Sequence, residues 1–326
     1  MNGKIIIRKN GGPEVLEWIK EDPGTPGAGE VLIRHTAIGL NFIDVYQREG
    51  LYPISLPFTP GVEAAGVIET VGEGVEAVAL GDRVAYFGAA NPGSYSQARI
   101  LPAERLVKLP DTIDDITAAG MMLKGATAEY LIRRTYPVKQ DDWVLFHAAS
   151  GGVGSIASQW LKALGAKVIG TVGSKEKAAL AKQNGCADTI LYREEDIAAR
   201  VKEITDGRGV DVVYDSVGKD TFEASLDSLK PRGLMVSFGN ASGPVPEFAP
   251  LLLAQKGSLF LTRPTVKDYY ATPEDFAEGT KALLDAVSSG TVKIAVNQTY
   301  PLRDVAKAHR DLEGRKTTGS TVLLVS

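Results

Sequence analysis

Hydrophobic residues, many of them β-branched, occur in short segments along roughly the first 110 positions of the chain. Glycine and proline separate these segments, as in the turn Gly11-Gly12-Pro13. Short β-branched segments between such turns are typical of strands, which we predict at residues 4–8, 31–37, 67–71 and 83–86. The pattern predicts an irregular antiparallel barrel or sandwich for this part of the chain.

One segment of this region has a different period. Residues 41–49 place polar and apolar side chains at helical spacing, and Asn41 is suited to the N-cap position. We therefore predict one helix within an otherwise strand-rich domain.

From about residue 141 the pattern changes to apolar strand-like runs that alternate with helical ones. The predicted strands are residues 143–148, 167–172, 189–192, 210–215, 234–238 and 258–262. The predicted helices between them are residues 152–164, 175–184, 195–205, 221–229 and 248–255. Six strands joined by five crossovers are typical of a doubly wound parallel sheet, so the predicted fold class is α/β.

The last part of the chain contains a long predicted helix at residues 273–288 and returns to a strand at residues 321–325. We expect this tail to rejoin the first domain, which leaves the α/β unit as an insertion. The predicted domains are residues 1–123 with 264–326, and residues 124–263.

The composition is that of an ordinary globular protein. The 326 residues are 44% hydrophobic and 23% charged, and the formal net charge of −4 does not favour binding to nucleic acid. One cysteine excludes an internal disulfide and every cysteine-rich metal cluster. No apolar run approaches the roughly 20 residues that span a bilayer, and the N-terminus does not read as a signal peptide. We expect a cytoplasmic protein with no membrane segment.

A glycine-rich turn connects the first strand and the first helix of the α/β unit. Ala149, Gly151 and Gly154 form the pattern A-x-G-x-x-G, a variant of the dinucleotide-binding fingerprint. Glycine permits the tight turn and lets the backbone approach a pyrophosphate, which then faces the helix N-terminus. We predict that Gly151, Gly152 and Val153 bind a dinucleotide; the alternative is a turn without a ligand.

The residues after the second strand of this unit indicate which dinucleotide it binds. NAD sites place an Asp or Glu here on the ribose 2′-hydroxyl. This chain has Gly173 and Ser174 instead, followed by Lys175 and Lys177, whose charge suits a 2′-phosphate. We predict NADPH; the alternative is that both lysines are solvated residues of a first helical turn.

Several motifs together resemble one family. In the α/β unit they are GGVG at residues 151–154, VDVVYDSVG at 210–218, RGLMVSFGN at 232–240 and TRP at 262–264. The N-terminal region adds GGPEVL at residues 11–16, AIGLNFIDVYQREGLYP at 37–53 and GVEAAGVI at 61–68. Over essentially its whole length the chain resembles the zinc-free quinone oxidoreductases, the zeta-crystallin-like branch of the medium-chain dehydrogenases/reductases. Within that branch it is most similar to the bacterial NADPH:quinone oxidoreductases.

This resemblance implies a GroES-like catalytic domain with an inserted Rossmann domain, NADPH in the cleft between them, and a homodimer. By the same analogy Asn41 and Tyr46 lie beside the nicotinamide and Tyr52 lies further out, so these three are the candidate catalytic residues. An amide or a tyrosine hydroxyl can hydrogen-bond a carbonyl oxygen, and a tyrosine ring can stack on a flat substrate. The alternative is that Asn41 is only a helix N-cap and that the tyrosines are packing residues.

The resemblance also implies further cofactor contacts. They comprise two residues near the domain junction, several that follow predicted strands, and one arginine near the C-terminus: Lys124, Thr127, Tyr192, Ser216, Phe238, Gly239, Asn240, Arg263 and Arg315. Doubly wound sheets bind ligands at the C-terminal ends of their strands, which agrees with most of these positions. His147, inside a strand, is predicted to be a hydrogen-bonded core histidine and not a general base.

The zinc ligands of the related alcohol dehydrogenases are missing from this sequence. Asn41 replaces a cysteine, residues 61–63 read Gly-Val-Glu where a histidine is expected, and residues 120–125 contain no Cys or His. Only Glu63 remains, and one carboxylate is not a zinc site. We predict no metal, and we interpret the lone Cys186 as a packing residue.

A metal-free nicotinamide enzyme needs a substrate whose reduction requires little electrophilic help. A ketone becomes a strongly basic alkoxide, whereas a quinone becomes a phenolate whose basicity is close to that of tyrosine, with a pKa of about 10. A quinone is therefore the expected substrate, and a conjugated alkenal or enone is the nearest alternative. An alternative from another class is a cofactor-binding protein with little turnover.

The segment at residues 257–262 is apolar and is predicted to form the edge strand of the α/β sheet. An uncovered apolar edge invites pairing with another chain. By resemblance we expect it to pair with its two-fold copy in a homodimer.

Overall fold

The computed structural model of the chain describes residues 2–88 and 91–326. The chain divides into two units, the first formed by Met1–Lys124 with Ile294–Ser326 and the second by Gly125–Lys293. The second unit is therefore an insertion in the sequence of the first.

The N-terminal part of the first unit is rich in short strands. Its elements, with a helix that runs on past Lys124, are β1 (Asn2–Ile6), β2 (Glu17–Glu21), β3 (Glu30–Leu40), α1 (Phe42–Glu49), β4 (Glu63–Val71), β5 (Arg83–Phe87), β6 (Ala98–Pro102), β7 (Val107–Lys108) and α2 (Asp115–Tyr130). The predicted helix is confirmed, with Asn41 as its N-cap and Gly50, at a φ of 87°, as its C-cap. Single 3-10 turns occur at Pro13–Val15 and Ala103–Arg105.

The second unit alternates strands and helices. A π-helical turn at Leu131–Thr135 precedes them. The elements are β8 (Trp143–Phe146), α3 (Gly152–Ala163), β9 (Lys167–Val172), α4 (Lys175–Gln183), β10 (Asp188–Leu191), α5 (Ile197–Ile204), β11 (Val210–Asp215), α6 (Phe222–Ser228), β12 (Leu229–Ser237), α7 (Leu251–Gln255), β13 (Phe260–Thr262), α8 (Val266–Tyr269) and α9 (Pro273–Ser288). Two helices end where glycine predicted it, at Gly165 and Gly185, which have φ values of 83° and 107°.

All six strands of the second unit form one parallel sheet in the order β10-β9-β8-β11-β12-β13. From β8 the chain builds outward to one side through β9 and β10, and then to the other side through β11, β12 and β13. This order confirms the predicted doubly wound Rossmann sheet. Sheets of this kind bind ligands at the carboxyl ends of the strands near such a reversal. Apolar side chains of its strands, among them Leu145, Ile169, Val213 and Met235, are fully buried.

The C-terminal part of the chain completes the first unit. It contains β14 (Val296–Pro301), a 3-10 turn at Leu302–Asp304, α10 (Val305–Glu313) and β15 (Ser320–Leu324). β15 pairs antiparallel with β3, so the predicted return of the tail to the first unit is confirmed. The resulting sheet has the order β14-β15-β3-β4-β5-β7, and β6 also pairs with β3.

The predicted boundary at residue 264 is corrected to residue 294. The segment that follows β13 stays with the second unit because its side chains pack there. Leu283 of α9 occupies the space beside Gly125, where an added Cβ would lie 2.4 Å from the leucine Cδ1. The Tyr270 hydroxyl donates to Glu129 Oε2 at 2.9 Å. A local hydrophobic pattern does not show which unit a helix packs against.

Helix α2 was not predicted, because it is apolar on nearly all sides. Its central residues, including Ala118, Ala119, Met121 and Met122, are completely buried. A helix that is buried all round has no polar stripe, so the periodic signal of an amphipathic helix is absent. None of the helices in residues 2–88 and 91–326 combines the length and apolar character needed to cross a membrane.

Candidate active site

Asn41 stands at the end of β3 and caps the N-terminus of α1. Its own N–H donates to Asp44 Oδ2 at 2.9 Å, which closes the first turn of the helix. Its side-chain Nδ2 donates to Glu63 Oε2 at 2.8 Å and lies 3.4 Å from the Gly39 carbonyl oxygen. The amide hydrogens of Asn41 therefore point into the protein. This arrangement does not favour the predicted donation from Asn41 to a substrate carbonyl.

Glu63 is the centre of this cluster and is completely buried on β4. Besides Asn41, it accepts a hydrogen bond from the Leu123 N–H at 2.7 Å, and its Oε2 lies 3.2 Å from Lys124 Nζ. Gly39 makes room for it, because a Cβ at residue 39 would lie 2.1 Å from Glu63 Oε2. Both carboxylate oxygens are engaged, and Lys124 balances the charge.

These residues do not fit a zinc ion. The one carboxylate that remains at the expected position already binds three protein donors, and its neighbours are an amide and an ammonium group. Among the described residues there is no group of three or more His, Cys, Asp or Glu side chains that could hold a metal ion.

A chain of buried polar groups continues from Asp44. The Tyr95 hydroxyl donates to Asp44 Oδ2 at 2.8 Å and lies 3.1 Å from His309 Nε2. His309 Nδ1 lies 2.9 Å from the Arg48 guanidinium. Arg48 is fully buried and also binds both carboxylate oxygens of Glu313, at 2.8 and 2.9 Å. The chain joins α1, the segment before β6 and α10.

Burial shifts the pKa values along this chain. Burial raises the pKa of Asp44 to about 7, against the opposing effect of its hydrogen bonds from Asn41 and Tyr95. Burial and the neighbouring positive charge of Arg48 lower the pKa of His309 to about 3, so this histidine is neutral at physiological pH.

Tyr46 and Tyr52 are brought together beside α1. Tyr46 is buried and Tyr52 is half-buried, and their rings meet edge to face with centroids 5.2 Å apart. The Tyr52 N–H donates to the Tyr46 carbonyl oxygen at 3.1 Å, which ties the segment after α1 back onto the helix. The structure thus places Tyr46 on α1, with Asn41 as the N-cap of this helix and Tyr52 in the segment just after it.

The glycine-rich turn of the second unit connects β8 to α3 and is closely packed. Gly151 is the N-cap of α3, and Gly154 packs against the strand end, where a Cβ would lie 2.5 Å from the Ala148 carbonyl oxygen. Ala149 stands where the usual fingerprint has its first glycine. It fits because the neighbouring strand has Gly170, whose added Cβ would lie 2.6 Å from that of Ala149. The missing glycine is thus compensated one strand away.

The predicted 2′-phosphate residues cluster at the end of β9. A Cβ on Gly173 would lie 2.8 Å from the Tyr192 hydroxyl oxygen, so glycine lets this tyrosine close over the turn. Ser174 is the N-cap of α4 and accepts the Lys177 N–H at 3.3 Å. A hydrogen bond from the Ser174 side chain lowers the pKa of Glu176, an exposed residue. The pairing of Glu176 with this serine was not predicted from the sequence.

The ends of β11, β12 and β13 lie side by side. Asp215 Oδ1 accepts the N–H groups of Val217 and Gly218, which holds the loop that contains Ser216. A Cβ on Gly239 would lie 2.4 Å from the Ser216 carbonyl oxygen. The remaining predicted residues of this edge are Phe238, Asn240 and Arg263. The Phe238 ring packs against Phe146, and Arg263 donates to the Ser237 carbonyl oxygen at 3.0 Å.

Two other predicted cofactor residues lie elsewhere. Thr127 is in α2, and Arg315 follows α10 with a φ of 57°. The contacts of these two and of all the other predicted cofactor residues with NADPH stay predictions.

The interpretations of His147 and Cys186 are confirmed. His147 is completely buried between Thr171 and Ser225, with a hydroxyl oxygen 3.0 Å from each ring nitrogen, and burial lowers its pKa. Cys186 is buried with its Sγ 3.4 Å from the Ser158 hydroxyl, and burial raises the pKa of its thiol to about 11. Neither group is poised as a base or a nucleophile.

Sequence reasoning missed the polar chain of Asp44, Tyr95, His309 and Arg48. Two signals were present. Asn41 and Asp44 have the spacing of a capping box, and His309 and Glu313 are four residues apart on one face of a helix. No spacing signal links Tyr95 to His309, because 214 positions separate them.

Comparisons with known proteins agree with both units. Residues 27–111 match the family model described as alcohol dehydrogenase GroES-like domain, and residues 152–286 match the one described as zinc-binding dehydrogenase. The chain is 54% identical to the quinone oxidoreductase of Pseudomonas aeruginosa over 99% of its own length and 100% of that protein. It is also 47% identical to a 2-haloacrylate reductase of a Burkholderia species, over 98% of each chain.

A solved structure extends this similarity to three dimensions. The Escherichia coli quinone oxidoreductase, solved in complex with NADPH, matches this chain with a TM-score of 0.97 at 50% identity, over 99% of each chain. The GroES-like unit, the Rossmann sheet and the full-length identity lead to one conclusion: the chain belongs to the quinone oxidoreductase family.

Proposed function

We propose that the protein is an NADPH-dependent quinone oxidoreductase, which transfers reducing equivalents from NADPH to a quinone without a metal. The observation that carries this proposal is the match, over 99% of each chain, to a quinone oxidoreductase solved with NADPH. The Rossmann sheet and its glycine-rich turn support the proposal, because this fold binds dinucleotides at such a turn.

The cofactor would be held along the carboxyl edge of the second unit's sheet. Gly151, Gly152 and Val153 would receive the pyrophosphate at the N-terminus of α3. The 2′-phosphate would lie on Ser174, Lys175, Lys177 and Tyr192. The further contacts that we propose are Asn41, Tyr46, Lys124, Thr127, Gly173, Ser216, Phe238, Gly239, Asn240, Arg263 and Arg315.

NADPH supplies the hydride; the protein has to orient the quinone and stabilise the charge that the hydride brings to it. Because the reduced quinone is a weak base, with a pKa of about 10, solvent can protonate it and no metal is needed. Asn41 is locked by Glu63 with its amide hydrogens inward. Tyr46 is therefore the better candidate donor to the quinone oxygen, with Tyr52 packed against its ring.

An assay of NADPH oxidation tests this function directly. We expect turnover with benzoquinone and naphthoquinone acceptors, unchanged after treatment with a chelator. Loss of activity on chelation would contradict the metal-free proposal. Binding of NADPH without turnover on any acceptor would instead favour a cofactor-binding protein.

A second candidate is reduction of a conjugated double bond. The relative named 2-haloacrylate reductase, 47% identical to this chain, favours it. The same assay separates the two functions: turnover with alkenals or enones but not with quinones would favour the double-bond reductase.

The proposal includes a homodimer in the cytoplasm. β13 is the edge strand of its sheet, and Phe260 on this strand is 61% exposed. Pairing with the same edge of a second copy would cover the β13 edge and the Phe260 side chain. Light scattering at micromolar concentration should give about twice the chain mass of 34.7 kDa. A species of the single-chain mass would contradict the dimer.

A further inference from the structure

The buried polar side chains of the first unit form a closed ring of hydrogen bonds that begins and ends on helix α1. Asp44 and Arg48 are four residues apart on this helix, and both contact the same Tyr95–His309 pair. Arginine can only donate, so His309 Nδ1 is the acceptor and its proton is on Nε2. His309 Nε2–H then donates to Tyr95, and the Tyr95 hydroxyl donates to Asp44. When Asp44 is ionised, every bond has one allowed direction, which makes the arrangement specific.

Tyr95 is a rigid anchor for this ring of hydrogen bonds. Its N–H donates to the Pro60 carbonyl oxygen at 2.9 Å, and its carbonyl oxygen accepts the Ile5 N–H at 2.8 Å. Its ring fills the space beside Gly61, where a Cβ would lie 2.4 Å from the tyrosine Cδ1. The side chain is 0% exposed. The hydroxyl that contacts Asp44 therefore has a fixed position.

The second anchor is α10, in the C-terminal part of the chain. His309 and Glu313 lie one turn apart on this helix, and both bind the Arg48 guanidinium. A fully buried arginine is costly unless its donors are paired, so Arg48 holds α1 against α10. Helix α1 is thus fixed at two points of its inner face, near its start and near its end.

Asn41 and Tyr46 are on the same short helix as these two anchor points. Asn41 receives its backbone restraint from Asp44, the group that Tyr95 contacts. Tyr46 lies between Asp44 and Arg48 in sequence. Any shift of α1 would therefore move both candidate catalytic residues.

We propose that Tyr95 and His309 are positioning residues for quinone reduction, which hold α1 so that Tyr46 meets the substrate correctly and Asn41 keeps its place at the start of the helix. This inference rests on the proposed function, because it assumes that Asn41 and Tyr46 line the reacting centre. Misplacement of a reacting group by about 1 Å can cost about 100-fold in rate, so a partial release of α1 should be visible in kcat.

The same unit contains a matched control for this inference. Tyr86 is also 0% exposed, and its hydroxyl lies 2.9 Å from the ring of another buried histidine, His35. Its other hydroxyl contacts are Ser94 at 3.0 Å and Arg99 at 3.4 Å, neither of which is in α1. Tyr86→Phe and Tyr95→Phe thus remove the same group from equally buried Tyr–His pairs.

The experiment compares steady-state kinetics and NADPH affinity for the two variants. Tyr95→Phe should lower kcat with a quinone about tenfold and leave the NADPH dissociation constant within about twofold. Tyr86→Phe should change kcat by less than about twofold. In the background of Tyr46→Phe, the additional loss from Tyr95→Phe should shrink, because both changes act on the same group. Equal losses from Tyr86→Phe and Tyr95→Phe, or fully additive losses with Tyr46→Phe, would overturn the inference.

A second pair of variants covers the case in which Tyr95→Phe does not fold. Asp44→Asn keeps an acceptor for Tyr95 and for the Asn41 N–H, whereas Asp44→Leu removes it and keeps a side chain branched at Cγ. We expect kcat to be at least fivefold higher in Asp44→Asn than in Asp44→Leu. Equal kcat values would refute positioning through Asp44. If the unmodified protein itself reduces no quinone, the proposed function fails, and this outcome is distinct from the others.

Discussion

Asp215 in the second unit and Asp44 in the first are both carboxylates with 0% exposure, and yet their pKa values shift in opposite directions. Burial raises the pKa of both. At Asp215, the nearby His147 and hydrogen bonds from Ser225, Gly218 and Thr221 outweigh burial and bring the pKa below its usual value. At Asp44 burial prevails, and the pKa is about 7.

The difference lies in how many donors each carboxylate has and where they come from. Asp215 accepts four hydrogen bonds, two on each oxygen, all from residues within ten positions of it. Asp44 accepts two on Oδ2, while its buried Oδ1 has no hydrogen-bond partner within residues 2–88 and 91–326. Burial alone therefore does not decide the charge of a carboxylate; the supply of donors does.

The strongest test of this comparison is Asp215→Asn. The new NH2 group would remove the acceptor of the Thr221 and Ser225 hydroxyls, and the loss of these two hydrogen bonds to a charged group should lower the free energy of unfolding by about 3–5 kcal/mol. Urea denaturation at pH 7 measures this. The exposed Asp206 of the same unit offers a control, because Asp206→Asn should cost less than about 0.5 kcal/mol. Similar small losses at both positions would show that the donors around Asp215 do not stabilise the fold.

In contrast to Asp215→Asn, Asp44→Asn should change the free energy of unfolding in a way that depends on pH and becomes more favourable as pH rises. A carboxyl group whose pKa is raised from 3.8 to about 7 on folding destabilises the native state as pH rises through this window. The asparagine variant does not titrate. Its stability relative to the unmodified protein should therefore rise by about 2–3 kcal/mol between pH 5 and pH 8. Urea denaturation at both pH values measures the change, and a pH-independent difference would show that Asp44 is ionised throughout.

The Rossmann unit allows a third test, at the predicted 2′-phosphate site. Lys177→Ala should weaken NADPH binding about tenfold and leave NADH nearly unchanged, because the two cofactors differ only in the phosphate. Fluorescence titration with both cofactors measures the two dissociation constants. The preference for NADPH should also decrease as salt is added. An equal loss for NADPH and NADH would place Lys177 outside the phosphate site.

The smallest expected effect concerns Glu176, the residue that hydrogen-bonds with Ser174. At the predicted site its carboxylate would compete with a 2′-phosphate for the serine hydroxyl and would add a negative charge nearby. Glu176→Gln should therefore strengthen NADPH binding about twofold, since the group is exposed and its charge is screened by solvent. The NADPH titration of Lys177→Ala serves as a control in which the expected change in affinity has the opposite sign. Weaker NADPH binding in Glu176→Gln would show that Glu176 supports the site.

Local patterns determined most of the second unit. The strands at 167–172 and 210–215 and the helix at 273–288 have the bounds that the sequence predicts. The glycine-rich turn and the lysines after β9 are also readable from short segments, because each feature depends on neighbours a few positions apart. The hydrogen bonds to Asp215 are local in the same way, because its donors lie in the following loop and helix.

Only the tertiary structure decided the polar core of the first unit. Glu63 receives donors from residues 22 and 61 positions away, and Tyr95 meets His309 across 214 positions. The structure likewise decided that α9 packs with the second unit and that Gly170 makes room for Ala149. A periodic pattern shows which side of an element is buried, but it carries no information about which distant side chain will face it. Hydrogen bonds between buried groups depend on that pairing, and so the residues that hold α1 became visible only in the folded chain.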